Sequence, residues 1–108
     1  GKIINITSIG AFVAKGSIAY VTAKSGLVGA TRALANEIHK TGITVNAIAP
    51  GPIDTDFLPD ELRKEICSKA DFKIGEPQDI ANIVSFLCSD KANYINGQII
   101  HVNGGMYI

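Results

Sequence analysis

The sequence predicts an α/β fold built on a parallel sheet, three strands joined by crossover helices. Three observations carry this prediction. Short β-branched runs alternate with longer helical stretches in the order strand, helix, strand, helices, strand. The strand runs lack polar/apolar alternation, as expected where both faces of a sheet are covered. The segments between them carry helical periodicity, which implies right-handed crossovers between parallel strands.

The first strand is "KIINIT", Lys2 to Thr7. A long helical stretch follows from about Ser17 to Lys40 and is stopped by Gly42. Leu27, Ala30, Leu34 and Ile38 mark one face of it, suited to packing on a sheet. Gly26, Gly29 and Ala33 form a second strip of small residues that would let another helix approach closely, within the chain or across a subunit interface. "TVNAIA", Thr44 to Ala49, is the second strand and ends at Pro50-Gly51-Pro52, which breaks regular structure.

Between Leu58 and Ala70 the apolar positions 58, 62, 66 and 70 step by four along one helix face. From Asp79 to Cys88 the pattern is sharper, with Ile80, Ile83, Val84 and Leu87 at i, i+3, i+4 and i+7, and Pro77 placed as a helix-start residue. "QIIHV", Gln98 to Val102, is the third strand, and a Gly104-Gly105 turn follows.

The chain has 108 residues, enough for one domain at most. Ten basic and ten acidic residues cancel, so no overall field favours nucleic acid or an anionic membrane. No apolar run reaches the roughly 20 residues that span a bilayer. Cys67 and Cys88 lack metal-type spacing and are expected to be buried or half-buried free thiols, a usage that favours a cytoplasmic location. His39 and His101 have no Cys, Asp or Glu at ligand spacing, so no metal site is expected. The chain opens directly into a strand at "GKIINITS", without Met, and three strands are few against a usual five or so. The expectation is a piece of something longer.

The chemistry-bearing stretch is "AYVTAKSG", which sets Tyr20 and Lys24 one helical turn apart on a shared face. Such a pair alone is weak evidence, and two solvated surface residues would look the same. Position strengthens it. Ser8 follows the C-terminal end of the first strand, and Pro50, Gly51 and Thr55 follow the end of the second, where ligands of open α/β sheets bind. A tyrosine is a poor acid at neutral pH, and a nearby ammonium would favour its phenolate and bring it toward general acid/base work. A serine hydroxyl would hold the substrate oxygen. The set suits proton transfer to a carbonyl oxygen while hydride reaches the carbon.

These residues, with "INITS", the Y-x-x-x-K pair, "GITVNAIAPGPIDTD" and "GQIIHVNGG" in the same order, resemble the C-terminal portion of a short-chain dehydrogenase/reductase. The resemblance covers essentially the whole chain. It implies that residues 1–108 are the C-terminal catalytic portion of one Rossmann-type domain, a doubly wound parallel sheet whose N-terminal cofactor-binding half is absent. It further implies that Ser8 orients and polarises the carbonyl, Tyr20 donates the proton, and Lys24 also binds the nicotinamide ribose. Pro50, Gly51, Ile53 and Thr55 would line the nicotinamide, and about Phe57 to Ile74 would form a variable substrate lid. A tetramer built partly on the helix around residues 17–40 is implied too.

The ending "SDKANYINGQIIHVNGGMYI" is similar to the family's 3-oxoacyl-(acyl-carrier-protein) reductases, which implies NADP(H) in preference to NAD(H), an acyl-carrier-protein-bound or small-molecule substrate, and a place in fatty-acid synthesis. Two features depart from those reductases. Ser8 and Tyr20 lie one residue closer in sequence than is usual, and "ADFKIGEP" closes a shorter lid. No glycine-rich loop for a pyrophosphate precedes a helix anywhere in the sequence. Two other readings stand beside this one: the same family acting on another small alcohol or ketone, and a truncated, non-catalytic oligomerisation module.

Overall fold

A computed structural model describes residues 1–69 and 71–108. Strand β1 (Lys2–Ile6), a short helix α1 (Gly10–Val13), the long helix α2 (Ile18–Glu37), β2 (Thr44–Pro50), α3 (Asp60–Ser68), α4 (Pro77–Cys88) and β3 (Ile99–Val102) follow in order. The three strands form one parallel sheet in the order β1-β2-β3, with Ile6 opposite Ile48 and Pro50 opposite Val102. β2 lies at its centre and is buried along its length up to Pro50.

Side chains alternate across a strand, so each strand feeds two layers. Ile4, Ile48 and Ile100 belong to the cluster that packs against Ile80, Ile83, Val84 and Leu87 of α4. The neighbours on the opposite face, Val45, Ala47 and Ala49, are fully buried on the side of α2. The predicted periodicity of α4 is thus its packing face. Its start is set by Pro77 in the first turn and by a capping box in which Glu76 and Asp79 bind each other's backbone N–H.

In α2 the buried residues are Thr31 and Ala35. Leu27, Leu34 and Ile38 are half-buried as that face requires, whereas Ala30 is exposed. The helix is docked partly by polar bonds that a hydrophobic pattern does not reveal. Asn5 Nδ2 donates to Thr31 Oγ1 (3.0 Å), and Thr7 Oγ1 donates to the Lys24 carbonyl (2.6 Å). Gly26 and Gly29 are exposed, and a Cβ on either would meet nothing within 4 Å.

Asn46 is the buried polar residue of β2. Its Nδ2 donates to Ile95 O (2.8 Å) and its Oδ1 accepts from Gln98 N (2.9 Å), tying the centre of the sheet to the turn before β3. Gly42 ends the α2 region with φ at +78°, the left-handed conformation that makes glycine the fitting stop.

Three expectations need correction. β1 is only partly buried, with Ile3 and Ile6 37% and 41% exposed, because it is an edge strand with one neighbour instead of two. Cys67 and Cys88 are exposed free thiols, not buried ones: the first sits away from the buried face of α3, and the second is the last residue of α4. The helix expected from Leu58 to Ala70 is shorter, and Ala70 lies outside the described residues. No helix among the described residues is long and apolar enough to cross a membrane.

Candidate active site

The C-terminal ends of β1 and β2 stay paired beyond the strands themselves. Thr7 N–H donates to Ile48 O and Ile9 N–H to Pro50 O, both at 2.8 Å, so Ser8 is held between them beside the Pro50 rim. Ser8 is buried. Its Oγ accepts a hydrogen bond from Gly10 N–H (3.0 Å), which leaves the hydroxyl proton free to turn toward a ligand.

Tyr20 comes to the same place from α2. Ser17 caps that helix, its Oγ accepting from Tyr20 N–H (3.1 Å), so the residue carrying the ring belongs to the capped first turn. Two glycines make room for the ring. A Cβ at Gly10 would lie 2.6 Å from Lys15 O and 3.3 Å from Tyr20 Cε1. A Cβ at Gly16, whose φ is +131°, would lie 2.8 Å from Tyr20 Cδ1. Lys24, one turn further on, donates through Nζ to the Ile6 carbonyl (3.1 Å), and its ammonium lies 6.0 Å from the centroid of the Tyr20 ring.

The second wall follows β2. Gly51 N–H donates to Val102 O (2.9 Å), and a Cβ at Gly51 would lie 2.8 Å from that of Asn103, so only glycine permits this approach of the two chains. Ile53 and Gly75 form a single parallel bridge, made by Gly75 N–H to Pro52 O (2.9 Å) and Asp54 N–H to Gly75 O (2.8 Å). The bridge does not use the Ile53 N–H.

Together these segments line one cleft of about 1060 Å³. Ser8, Tyr20, Lys24, Pro50, Gly51, Ile53 and Thr55 all border it, which brings the candidate catalytic and cofactor-lining residues of the sequence to one place. Its far wall is apolar and comes from α3 and the residues around it, with Phe57, Leu62, Ile66 and Phe72. Gly10, Gly16 and Ser17 were not singled out. Their signal is present in the sequence as two glycines and a helix-capping serine in the ten residues before Tyr20.

A family model described as enoyl-(acyl carrier protein) reductase matches residues 1–107. The chain belongs to the short-chain dehydrogenase/reductase family. Among curated members of the family, the 3-oxoacyl-(acyl-carrier-protein) reductase FabG of Staphylococcus epidermidis is 51% identical, over 100% of this chain and 46% of the relative. The enzyme of the same name from Rickettsia felis is 50% identical over 98% of the chain and 46% of the relative, and that of Aquifex aeolicus 43% over 99% and 45%. The chain spans about half the length of the curated relatives it matches. Among solved structures, the TT0495 protein from Thermus thermophilus superposes with a TM-score of 0.86 at 38% identity, covering 97% of this chain and 48% of that one. The three-stranded parallel sheet of this short-chain dehydrogenase/reductase chain, with its crossover helices, is part of a Rossmann-type fold.

Proposed function

We propose that this chain is the C-terminal catalytic portion of a reductase that converts a 3-oxoacyl thioester, carried on acyl carrier protein, to its 3-hydroxy form with NADP(H). The observation that supports it most is the convergence of Ser8, Tyr20 and Lys24 on one cleft with an apolar far wall. In this reading the substrate carbonyl oxygen sits between two hydroxyls. The Ser8 hydroxyl, whose lone pair is already engaged by Gly10 N–H, donates to that oxygen and orients it. Tyr20 delivers the proton to the oxygen as negative charge develops there. The Lys24 ammonium, 6.0 Å from the ring centroid, places a positive charge beside the two hydroxyls where negative charge develops.

The residues present fit the nicotinamide end of the cofactor. Lys24 would hold the ribose beside Tyr20, while Pro50, Gly51, Ile53 and Thr55 would line the ring, with the Ile53 N–H outside the bridge and so available to an acceptor. When bound, the nicotinamide supplies the hydride to the carbonyl carbon. In the same reading the parent protein is cytoplasmic and tetrameric through α2, and these 108 residues alone have little activity.

The matching family model is described by enoyl reduction while the relatives are named for 3-oxoacyl reduction, so the test uses both substrates. NADPH oxidation by the native polypeptide is followed with a 3-oxoacyl thioester and with a 2-enoyl thioester, for wild type and Tyr20→Phe. The expected result is turnover of the 3-oxoacyl compound, lost about 10²- to 10⁴-fold in Tyr20→Phe without a change in melting temperature. Turnover of only the enoyl compound, or a fully active Tyr20→Phe, would refute the reading.

A further inference from the structure

Helix α3 and its flanks supply the apolar wall of the cleft, yet few groups hold the helix in place. Leu58, Leu62 and Ile66 border the cleft, and of the helix itself only Ile66 is buried. Among the described residues, the main packing contacts between elements join the strands, α1, α2, α4 and the turn after α4, and none involves α3. A helix of nine residues is too short to persist in water on its own. Its position rests on tethers.

Two tethers are backbone. Leu58 N–H donates to Thr55 O (3.0 Å) just before the helix, and the Ile53–Gly75 bridge closes the segment after it. The third is a side chain in mid-helix. Arg63 Nη1 is paired with the Asp54 carboxylate, Nη2 donates to the Thr55 carbonyl (3.3 Å), and Nε lies 3.9 Å from Asp60 Oδ1. Asp54 and Thr55 belong to the loop after β2 whose Pro52, Ile53 and Thr55 line the cleft. One guanidinium thus joins the two walls.

We infer that Arg63 is a positioning residue: its forked grip on Asp54 and Thr55 sets α3 over the cleft and so fixes where the Leu62–Ile66 wall stands relative to Tyr20. The residue type matters, because two acceptors on different residues need a planar donor with several N–H groups. An ammonium offers the charge but not the fork. Side-chain exposures of 31% for Arg63 and 47% for Asp54 mean that salt weakens the grip. Only the kinetic consequence of this inference rests on the reductase reading above.

Two experiments separate them. The first is backbone hydrogen exchange on the native polypeptide as wild type, Arg63→Ala, Arg63→Lys and Asp54→Asn. Residues 60–68 are expected to exchange about three- to fivefold faster in Arg63→Ala and in Asp54→Asn, with Arg63→Lys between them and wild type. Residues 44–50 and 77–88 are expected to be unchanged. Unchanged exchange over 60–68 would overturn the inference, as would an equal acceleration in every element, since that is a general loss of stability. The second experiment is steady-state kinetics with the 3-oxoacyl thioester. A wall held out of place binds the chain of the substrate less well, so KM is expected to rise by a similar factor with a smaller effect on kcat. A fall in kcat at unchanged KM would overturn it. A wild-type protein inactive on the thioester refutes the reductase reading and leaves the exchange result to decide the role of Arg63.

Discussion

Gly16→Ala is the most direct probe of how Tyr20 is seated. The backbone there has φ at +131°, well outside the left-handed helical region an L-residue tolerates, so alanine brings strain of about 1–3 kcal/mol. The new methyl also has a specific victim. It would lie 2.8 Å from Tyr20 Cδ1, whereas carbon atoms rest at about 3.5 Å or more. Either the loop or the ring must give by about 0.7 Å. Gly10 already stands against the same ring, which limits where it can go. With Tyr20 as the proton donor proposed above, a displacement approaching 1 Å costs about 10² in rate, so kcat/KM should fall about ten- to a hundredfold, or about 1.4–2.7 kcal/mol of transition-state stabilisation. The control is Gly42→Ala, at φ +78° but with nothing within 4 Å of its Cβ. It should lower stability by about 1 kcal/mol and leave turnover intact. The assay pairs thermal melts with NADPH oxidation on a 3-oxoacyl thioester for both variants. Gly16→Ala within twofold of wild-type kcat/KM, or equal losses in the two variants, would refute the seating argument.

Asn46→Ala removes the partners of Ile95 O and Gln98 N in the middle of the sheet, and urea denaturation should show a loss of about 3 kcal/mol. Gly29→Ala adds a methyl to an exposed helical site with open space, so it should raise the stability of the monomer by about 0.5–1 kcal/mol; a fall would mean that another surface occupies that face. The free edge of β1 gives a third expectation. With Thr7 and Ile9 donating to β2, the alternate residues Lys2, Ile4 and Ile6 turn their backbone groups away from β2; Lys24 takes the Ile6 carbonyl, and Lys2 and Ile4 stand at the edge beside the partly exposed Ile3 and Ile6 side chains. The isolated 108-residue polypeptide should therefore self-associate in sedimentation velocity, whereas a monomer with a cooperative melt would contradict this.

The strands and long helices were legible because burial leaves a periodic trace: Ile80, Ile83, Val84 and Leu87 point one way at helical spacing, and that is the way α4 packs. The four residues of α1 left no such trace, being shorter than two turns and bounded by Ala14 in the left-handed conformation. The buried face of α2 was missed in part because Thr31 reads as polar; its hydroxyl is spent on the Leu27 carbonyl and on Asn5, which makes it a core residue. Of the residues that border the cleft, Ser8 was legible from its place after a strand end, and Tyr20 and Lys24 from their spacing of one helical turn. The glycines that seat the tyrosine were not, since a glycine's purpose lies in what a Cβ would strike. Arg63 was equally hidden, because its partners are set by how α3 folds back on the loop after β2.

Bonds between β1 and α2 also decide where Ser8 and Tyr20 stand. These residues face one cleft in part because β1 and α2 are fastened to each other. Lys24 is bound at both ends to β1 and the residue after it: its carbonyl accepts from Thr7 Oγ1 (2.6 Å), and its ammonium donates to the Ile6 carbonyl (3.1 Å). Ser8 is the residue after Thr7, and Tyr20 lies one turn before Lys24. Asn5 and Thr31 repeat the attachment two turns further along the helix (3.0 Å). The intervening stretch, with α1, the left-handed Ala14 and Gly16 at φ +131°, adds its own contacts: α1 packs on α2, and Ser25 Oγ donates to the Ala11 carbonyl (3.4 Å). Strand–helix packing thus sets where Ser8 and Lys24 stand, and the loop between, through Gly10, Gly16 and the Ser17 cap, seats the Tyr20 ring beside them.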